Sequence, residues 1–333
     1  MIENAHQGTR PDDSAEASDL VIDELLRAAV TAPSMHNTQP WRLRLPRAGT
    51  AIEMLIDPAR MLAVGDPRGR AAYIACGAAL FNLRVAAAAH GLRADVQLFP
   101  DPGQALLVAE VDLTSDYVAA PWELELHAAI SARHTNRQPY SSRLVPRQIR
   151  AELAAAAKAE RAILHFLDDD EAARVRHLAA ESERELLADQ AYRSELARWV
   201  GPDRLGDGIP DQALGPRSSQ GRDPVRDFAP GRRPVRYATF EERLQLAVLS
   251  VRADGTANWI GAGQALERVW LTATCRQISL CPLTQPLETA DAWLVADPRS
   301  GHEEPQMIMR IGYGPPIRAT TPRRPVTDVV SSV

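Results

Sequence analysis

Three short segments hold the residues best suited to chemistry. The first runs Ala32-Pro33-Ser34-Met35-His36-Asn37-Thr38-Gln39-Pro40-Trp41-Arg42. It sets two hydroxyls, an imidazole and two carboxamides between prolines. Asn37 and Gln39 can hydrogen-bond a ligand or simply close a turn. Trp41 reads as a core residue or as a flat partner for a ring, with Arg42 beside it. The second is Arg133-His134-Thr135-Asn136-Arg137 and the third contains Arg323-Arg324. Thr135 can be a ligand contact or a helix cap, and Arg323 and Arg324 can be site cations or solvated surface. His36 and His134 are candidates by adjacency. Lys158 is the only lysine, so 37 of the 38 basic residues are arginine. Any fixed cation in a site is therefore almost always a guanidinium, the group suited to bidentate pairing with carboxylate or phosphate.

Those segments need a scaffold, and 333 residues with 45% hydrophobic content supply one. A net charge of −5 and a pI near 5.9 argue against a nucleic-acid or anionic-membrane surface. Cys76, Cys275 and Cys281 form no Cys-x-x-Cys pair and no zinc spacing, so they are expected to be buried thiols with no metal. The polar, acidic N-terminus lacks the apolar core of a signal peptide, and Gly77–Ala89 is too short to span a bilayer. A soluble cytoplasmic protein is expected, with no membrane and no nucleic-acid partner. Gly261-x-Gly263 imitates a dinucleotide fingerprint, but it does not follow a strand in a tight turn.

Composition and periodicity divide the chain further. Residues 1–17 are expected to be a disordered tail. A helix follows from about Leu20 to Pro33. Trp41–Leu45 and Ala51–Ile56 alternate like a hairpin. Residues 69–90 form a long apolar helix, followed by strands at 94–99 and 105–113. Helices are expected at 122–131 and 146–158, a strand at 162–167 and one long charged helix over 169–199. Residues 201–236 are rich in Gly and Pro. Their seven arginines are offset by five aspartates, and the segment reads as a lid or binding loop, or else as disordered. A strand at 244–251, a helix at 259–278, a helical stretch at 287–295 and a strand at 307–311 precede an extended proline-rich tail at 315–325.

Helices 69–90 and 257–280 share one plan: a Gly-Ala pair about a third of the way along, then apolar spacing, then a strand. A duplicated α+β unit is the simplest account. The two units fall in residues 18–118 and 119–333, the second containing the 201–236 lid. Mixed antiparallel sheets would be flanked by helices.

The order of these segments resembles the Acg-like nitroreductases of actinobacteria. Ala32–Arg42 is similar to the A-P-S-x-x-N-x-Q-P-W-R segment of nitroreductase-family flavoproteins. Arg133–Arg137 resembles their R-R-(S/T)-x-R motif. Gly261–Glu267, through Cys281-Pro282-Leu283-Thr284-Gln285-Pro286, resembles the central helix and the loop that touches the flavin N5. Thr321-Pro322-Arg323-Arg324-Pro325 resembles the basic C-terminal motif. The resemblance implies a nitroreductase-like fold, two fused halves forming an intramolecular pseudo-dimer, and FMN as cofactor. It places the phosphate on Arg133 with Arg323 or Arg324, and the pyrimidine edge on Ser34, Asn37, Gln39 and Arg137. N5 falls to the Pro282-Leu283-Thr284 turn. Met35, His36, Trp41, Arg42, His134 and Thr135 complete the implied cofactor shell. The first half lacks an arginine motif and the second lacks an A-P-S-x-x-N copy. One complete site per chain, between the halves, follows from that complementarity, and with it a monomer, because the family's dimer interface becomes internal.

Three functions remain open on sequence. One is FMN-dependent NAD(P)H reduction of a nitro compound or quinone. The second is FMN storage or sequestration beneath the lid, without turnover. The third is a cofactor-free scaffold. No protein general acid is required for the first, because the flavin carries the hydride chemistry.

Overall fold

The computed structural model describes residues 11–46, 51–219, 226–230, 236–289, 303–317 and 320–332. Helix α1, Pro11–Val30, opens the chain. Strands β1 (Trp41–Leu45) and β2 (Ala51–Ile56) pair antiparallel, with Trp41 opposite Ile56. Helix α2, Arg70–Ala89, leads to β3 (Arg93–Leu98) and β4 (Leu107–Thr114), also antiparallel. Helices α3 (Pro121–Ala129) and α4 (Arg147–Ala159) precede β5 (Ile163–Phe166). Next come α5 (Asp169–Ala188), α6 (Gln190–Trp199) and the two-residue strands β6 (Arg217–Ser218) and β7 (Tyr237–Ala238). Strand β8 (Leu246–Val251), helix α7 (Thr256–Cys275), β9 (Ser279–Pro282), β10 (Glu304–Gly312) and β11 (Val330–Ser332) complete the order.

Two larger sheets result. One runs β11-β1-β2-β4-β3 and the other β5-β8-β10-β9. Each packs against one long, mostly buried helix, α2 on the first and α7 on the second. This is the expected α+β architecture, built from two sheet-and-helix halves. Helix α2 is long and apolar enough to cross a membrane, but most of it lies inside the protein. Its apolar character comes from packing against neighbours on nearly every side.

The two long helices touch backbone to backbone. A Cβ placed on Gly77 would sit 2.0 Å from the Ile260 carbonyl oxygen, and one placed on Gly263 would sit 2.0 Å from the Ile74 carbonyl oxygen. Each contact joins a glycine to the carbonyl three residues before the other glycine, as a twofold pseudo-symmetry requires. The sequence echo pairs the Gly-Ala dipeptides, but the structure pairs Gly77 with Gly263, two residues later. A Cβ on Gly261 would meet nothing within 4 Å. Side chains are exchanged across the crossing: Ile260 and Leu271 of α7 join the first core, and Ile74 of α2 joins the second.

Several elements differ from expectation. Residues 11–17, expected in a disordered tail, begin α1, with Pro11 at a helix start where its fixed φ is already suitable. Residues 1–10 lie outside the described residues. The single helix expected over 169–199 is two helices. Asp189 is extended (φ −75°, ψ 120°), and its carboxylate accepts from the Ala191 amide, starting α6. Strand β11 was not foreseen; it returns to the first sheet parallel to β1, with Val330 opposite Leu43. Helix α3 places Leu126 and Ala129 in the first core. The helix expected over 287–295 lies largely outside the described residues, and Gln285–Leu287 form one 3-10 turn.

Candidate functional site

Between α1 and β1 the chain makes a left-handed turn without glycine. His36, Asn37 and Gln39 have φ of 52°, 56° and 51°. Asn and His are found in this region more often than most residues, whereas Gln is held there at a cost of about 1 kcal/mol or more. Hydrogen bonds fix the turn. The Gln39 amide donates to Ser34 Oγ (2.9 Å), and Asn37 Nδ2 donates to the Gly208 and Pro322 carbonyls (2.9 Å each). Gln39 Nε2 donates to the Gly206 carbonyl (2.9 Å), and its Oε1 accepts from the Arg324 amide (2.9 Å). The turn, the loop after α6 and the C-terminal tail are thereby fastened together.

Two cavities that share part of their walls lie beside this turn. The larger is a cleft with about 990 Å³ of empty space, its solvent mouth included. Its apolar walls include Ile74, Leu266, Trp270 and Met307, and the Pro282-Leu283-Thr284 turn closes one side. The smaller is polar and holds Asn37, Arg133, His134, Thr321 and Arg323. Pro33, Ser34, Thr135 and Arg137 line both. An apolar slot joined to a cationic pocket suits a flat ring carrying an anionic tail.

The smaller cavity is strongly cationic. Arg133 and Arg323 both donate through Nη2 to the Thr31 carbonyl (3.0 Å each), so the two guanidiniums converge. Arg323 Nη1 also donates to Asn37 Oδ1 (3.0 Å) and Thr321 Oγ1 (3.0 Å). The Arg133 guanidinium lies 4.8 Å from the Trp270 ring centre, and its Nε is 3.1 Å from Glu267 Oε1. Burial and the like charge of Arg133 push the Arg323 guanidinium down to about 9. Burial lowers Arg133 as well. Burial, then Arg133 and Arg323, hold His134 below its usual range. Burial pushes the Glu267 carboxyl up to about 7, against the pull of both arginines. Two crowded cations facing one half-neutralised acid form a site that an anion would stabilise.

Among the described residues no acidic side chain lines the larger cleft, while Arg70, Arg137, Arg226 and Arg310 do. Arg226 pairs with Glu288 (2.5 Å) and Arg310 with Glu241 (2.9 Å). Arg137 donates to the Ala213 carbonyl (3.0 Å) and lies 4.9 Å from the Phe228 ring centre. Phe228 also meets the His36 ring edge-on at 5.9 Å. Burial, then Arg226 and Arg137, hold His36 well below its usual range, which keeps the imidazole neutral. Arg226 and Phe228 come from the long loop, and their contacts lay this stretch of it against the cleft.

Most of the expected site residues converge. Ser34, Met35, His36, Thr135, Arg137, Pro282, Leu283 and Thr284 line the cleft; Asn37, Arg133, His134 and Arg323 line the polar cavity. Four do not line either. Gln39 is fully buried and its amide is committed to backbone groups, so it is a fastener of the turn. Trp41 is fully buried in the first core, because the first residue of β1 faces the sheet interior. Arg42, one residue on, points to the opposite face and pairs with Asp57 at 3.0 Å. Arg324 contributes its amide to Gln39 and its guanidinium to the Asp328 carbonyl. Sequence reasoning missed Arg70, Arg226, Phe228, Leu266, Glu267 and Trp270. Glu267 gave a faint signal as an acid on a largely apolar helix. No group of three His, Cys, Asp or Glu residues able to hold a metal occurs among the described residues.

No family model matches the chain. Among curated proteins, one from Mycobacterium tuberculosis, named provisionally as an NAD(P)H nitroreductase, is 34% identical over 318 residues. The match covers 93% of this chain and 90% of that one. A second protein of that organism, provisionally named NAD(P)H nitroreductase acg, is 31% identical over 316 residues, covering 93% and 95%. Among solved structures, the FMN-dependent nitroreductase NfnB of Mycobacterium smegmatis, in complex with NADPH, is 15% identical. It covers 62% of this chain and 96% of its own, with a TM-score of 0.38. A protein from Anabaena variabilis, provisionally described as a nitroreductase, is 10% identical, covers 93% and 90%, and has a TM-score of 0.45.

Proposed function

The chain belongs to the Acg-type family of NAD(P)H nitroreductases, and from that premise we propose that it holds one FMN and reduces a nitro compound or quinone at the expense of NAD(P)H. The convergence of Arg133 and Arg323 in a polar pocket that shares its wall with an apolar slot carries this reading. The residues fit the cofactor. Arg133 and Arg323 would take the phosphate, with Asn37 and Thr321 holding Arg323 in place. Arg137, on the wall shared by both cavities, would face the pyrimidine edge, and the Pro282-Leu283-Thr284 turn would face N5. Leu266, Trp270 and Ile74 give the slot apolar walls. When bound, FMN supplies the hydride chemistry. A monomer follows from the internal junction of the halves.

Anaerobic addition of NADPH to the FMN-loaded protein tests the reading. Bleaching of the yellow colour within seconds, followed by recovery on adding a nitroarene or quinone, is expected. An unbleached flavin that still accepts electrons on illumination contradicts turnover with NADPH.

Sequestration stands as a second reading because Arg226 and Phe228 lie along the cleft. Arg226 is clamped by Glu288 and Tyr192 and donates to Thr284 Oγ1 at 3.2 Å. If this loop excludes nicotinamide, Glu288→Ala leaves Arg226 without its carboxylate partner and raises the bleaching rate by about tenfold or more. Stopped-flow absorbance reads the change. An unaltered rate shows that the loop does not limit access.

A further inference from the structure

Behind the polar cavity, inside the junction of α2 and α7, lies the Glu267 carboxyl with no exposed surface. Neither of its oxygens has a hydrogen bond of good geometry. Its closest cation is Arg133, with Nε at 3.1 Å, and the same guanidinium lines the cavity and donates to the Thr31 carbonyl. Arg323 converges on that carbonyl from the C-terminal tail. A buried carboxylate with so little hydrogen bonding is held ionised chiefly by these two arginines. A phosphate ester in the cavity would bring a second anion to the same pair. Two anions then compete for two guanidiniums, and the one that can accept a proton gives way.

We propose that Glu267 is the proton-linked counter-ion of the phosphate cavity, ionised while Arg133 and Arg323 have no other anion and protonated once a phosphate ester engages them, so that binding FMN takes up a proton. This rests on the assignment of FMN to the site in the preceding section. The surroundings of Glu267 offer few competitors. Helix α2 presents Asn82, the segment after α3 presents Arg133 and His134, and the tail presents Arg323. Other charges on the packed elements are engaged elsewhere. Glu125 and Glu152 pair with Arg276, Glu160 with Arg84 and Arg268, and Glu241 with Arg310.

The sign of the effect follows from linkage. Burial places the free protein's Glu267 near 7. Below that pH the carboxyl already carries its proton and adds no pH dependence. Above it, each FMN bound draws a proton from solvent, so affinity falls as pH rises. The Kd should rise about fivefold between pH 7 and 8. The second ionisation of the FMN phosphate, near pH about 6, acts on the acid side with the opposite sign. His134 titrates below its usual range, also on the acid side. Arg323, pushed down to about 9, acts only at the alkaline end. The interval from pH 7 to 8 therefore reports on Glu267.

The test uses the full chain freed of flavin. FMN is titrated at pH 7 and 8 by fluorescence quenching, and proton uptake is measured calorimetrically in two buffers of different ionisation enthalpy. Wild type should show the fivefold rise and an uptake of most of one proton at pH 8. Glu267→Gln, isosteric and permanently neutral, should bind FMN with one Kd at both values. Riboflavin, which lacks the phosphate, should bring no proton with it. Equal FMN Kd values for wild type at pH 7 and 8 without proton uptake would overturn the proposal, as would a slope that survives in Glu267→Gln. If the variant folds poorly, the wild-type comparison of FMN with riboflavin decides. FMN that binds without uptake overturns this inference alone, whereas FMN that fails to bind overturns the site assignment as well.

Discussion

Arg133→Met is expected to lower FMN affinity by about a hundredfold or more, leaving a protein that purifies nearly colourless. The side chain is 2% exposed and donates to the Thr31 carbonyl beside Arg323. Removing a buried charge that pairs with a ligand typically costs about 2–5 kcal/mol, or roughly 30- to 5,000-fold in Kd. Methionine keeps much of the volume and the contact with Trp270. Glu267, already near 7, can meet the loss of its partner by taking a proton. The fold should therefore survive, and far-UV circular dichroism should be unchanged. Arg323→Met is the companion variant. Its loss should also weaken FMN strongly, and it frees Asn37 Oδ1 as well. Charge reversal, Arg133→Glu, should abolish retention, since it sets a carboxylate where the phosphate would bind. Fluorescence titration with FMN measures all three. Wild-type affinity in any of them contradicts the assignment.

Gly77→Ala is expected to destabilise the protein by about 2–4 kcal/mol, and Gly77→Val to prevent folding. Even one methyl group would sit 2.0 Å from the Ile260 carbonyl oxygen, and that atom is backbone in the middle of α7. The helices must move apart, and the packing of both halves loosens with them. Gly263→Ala should cost a similar amount through the Ile74 carbonyl. Gly261→Ala, on the same helix two residues earlier, meets open space and should be neutral or stabilising by up to about 1 kcal/mol. Thermal melting of the three alanine variants checks the contrast. Equal melting temperatures for Gly77→Ala and Gly261→Ala contradict the close crossing.

Much of the architecture was legible in the chain because it is carried by local pattern. The hairpin of β1 and β2, the apolar helices α2 and α7 and the strands that follow them all show their period within a single segment. The elements that escaped depend on one residue or on distant partners. Asp189 ends α5 and caps α6, but a charged helical pattern runs through it unbroken. Strand β11 is three residues long and owes its existence to pairing with β1.

The site was legible in part for the same reason. Arg133, Arg323 and Asn37 stand in recognisable segments, and the fold brings them together. Gln39 stands in one of those segments too, yet its amide meets the Gly206 carbonyl and the Arg324 amide, groups that no local pattern connects to it. Trp41 and Arg42 were separated by strand alternation, which sends one into the core and the other to the surface. Arg226 and Phe228 sit in a Gly- and Pro-rich loop without periodicity, so nothing in the sequence says which loop residues face the cleft. Glu267 could be noticed as an acid on an apolar helix, but only its distance to Arg133 gives it a role.

The early turn, the Arg133 segment and the C-terminal tail are expected to close around a single flavin. A crystal structure of the full chain grown with FMN tests it most directly. One FMN per chain is expected, with its phosphate in hydrogen-bond reach of both Arg133 and Arg323 and its ring in the cleft beside Trp270 and the Pro282-Leu283-Thr284 turn. A phosphate bound away from those two arginines, or crystals that stay colourless at saturating FMN, would contradict it.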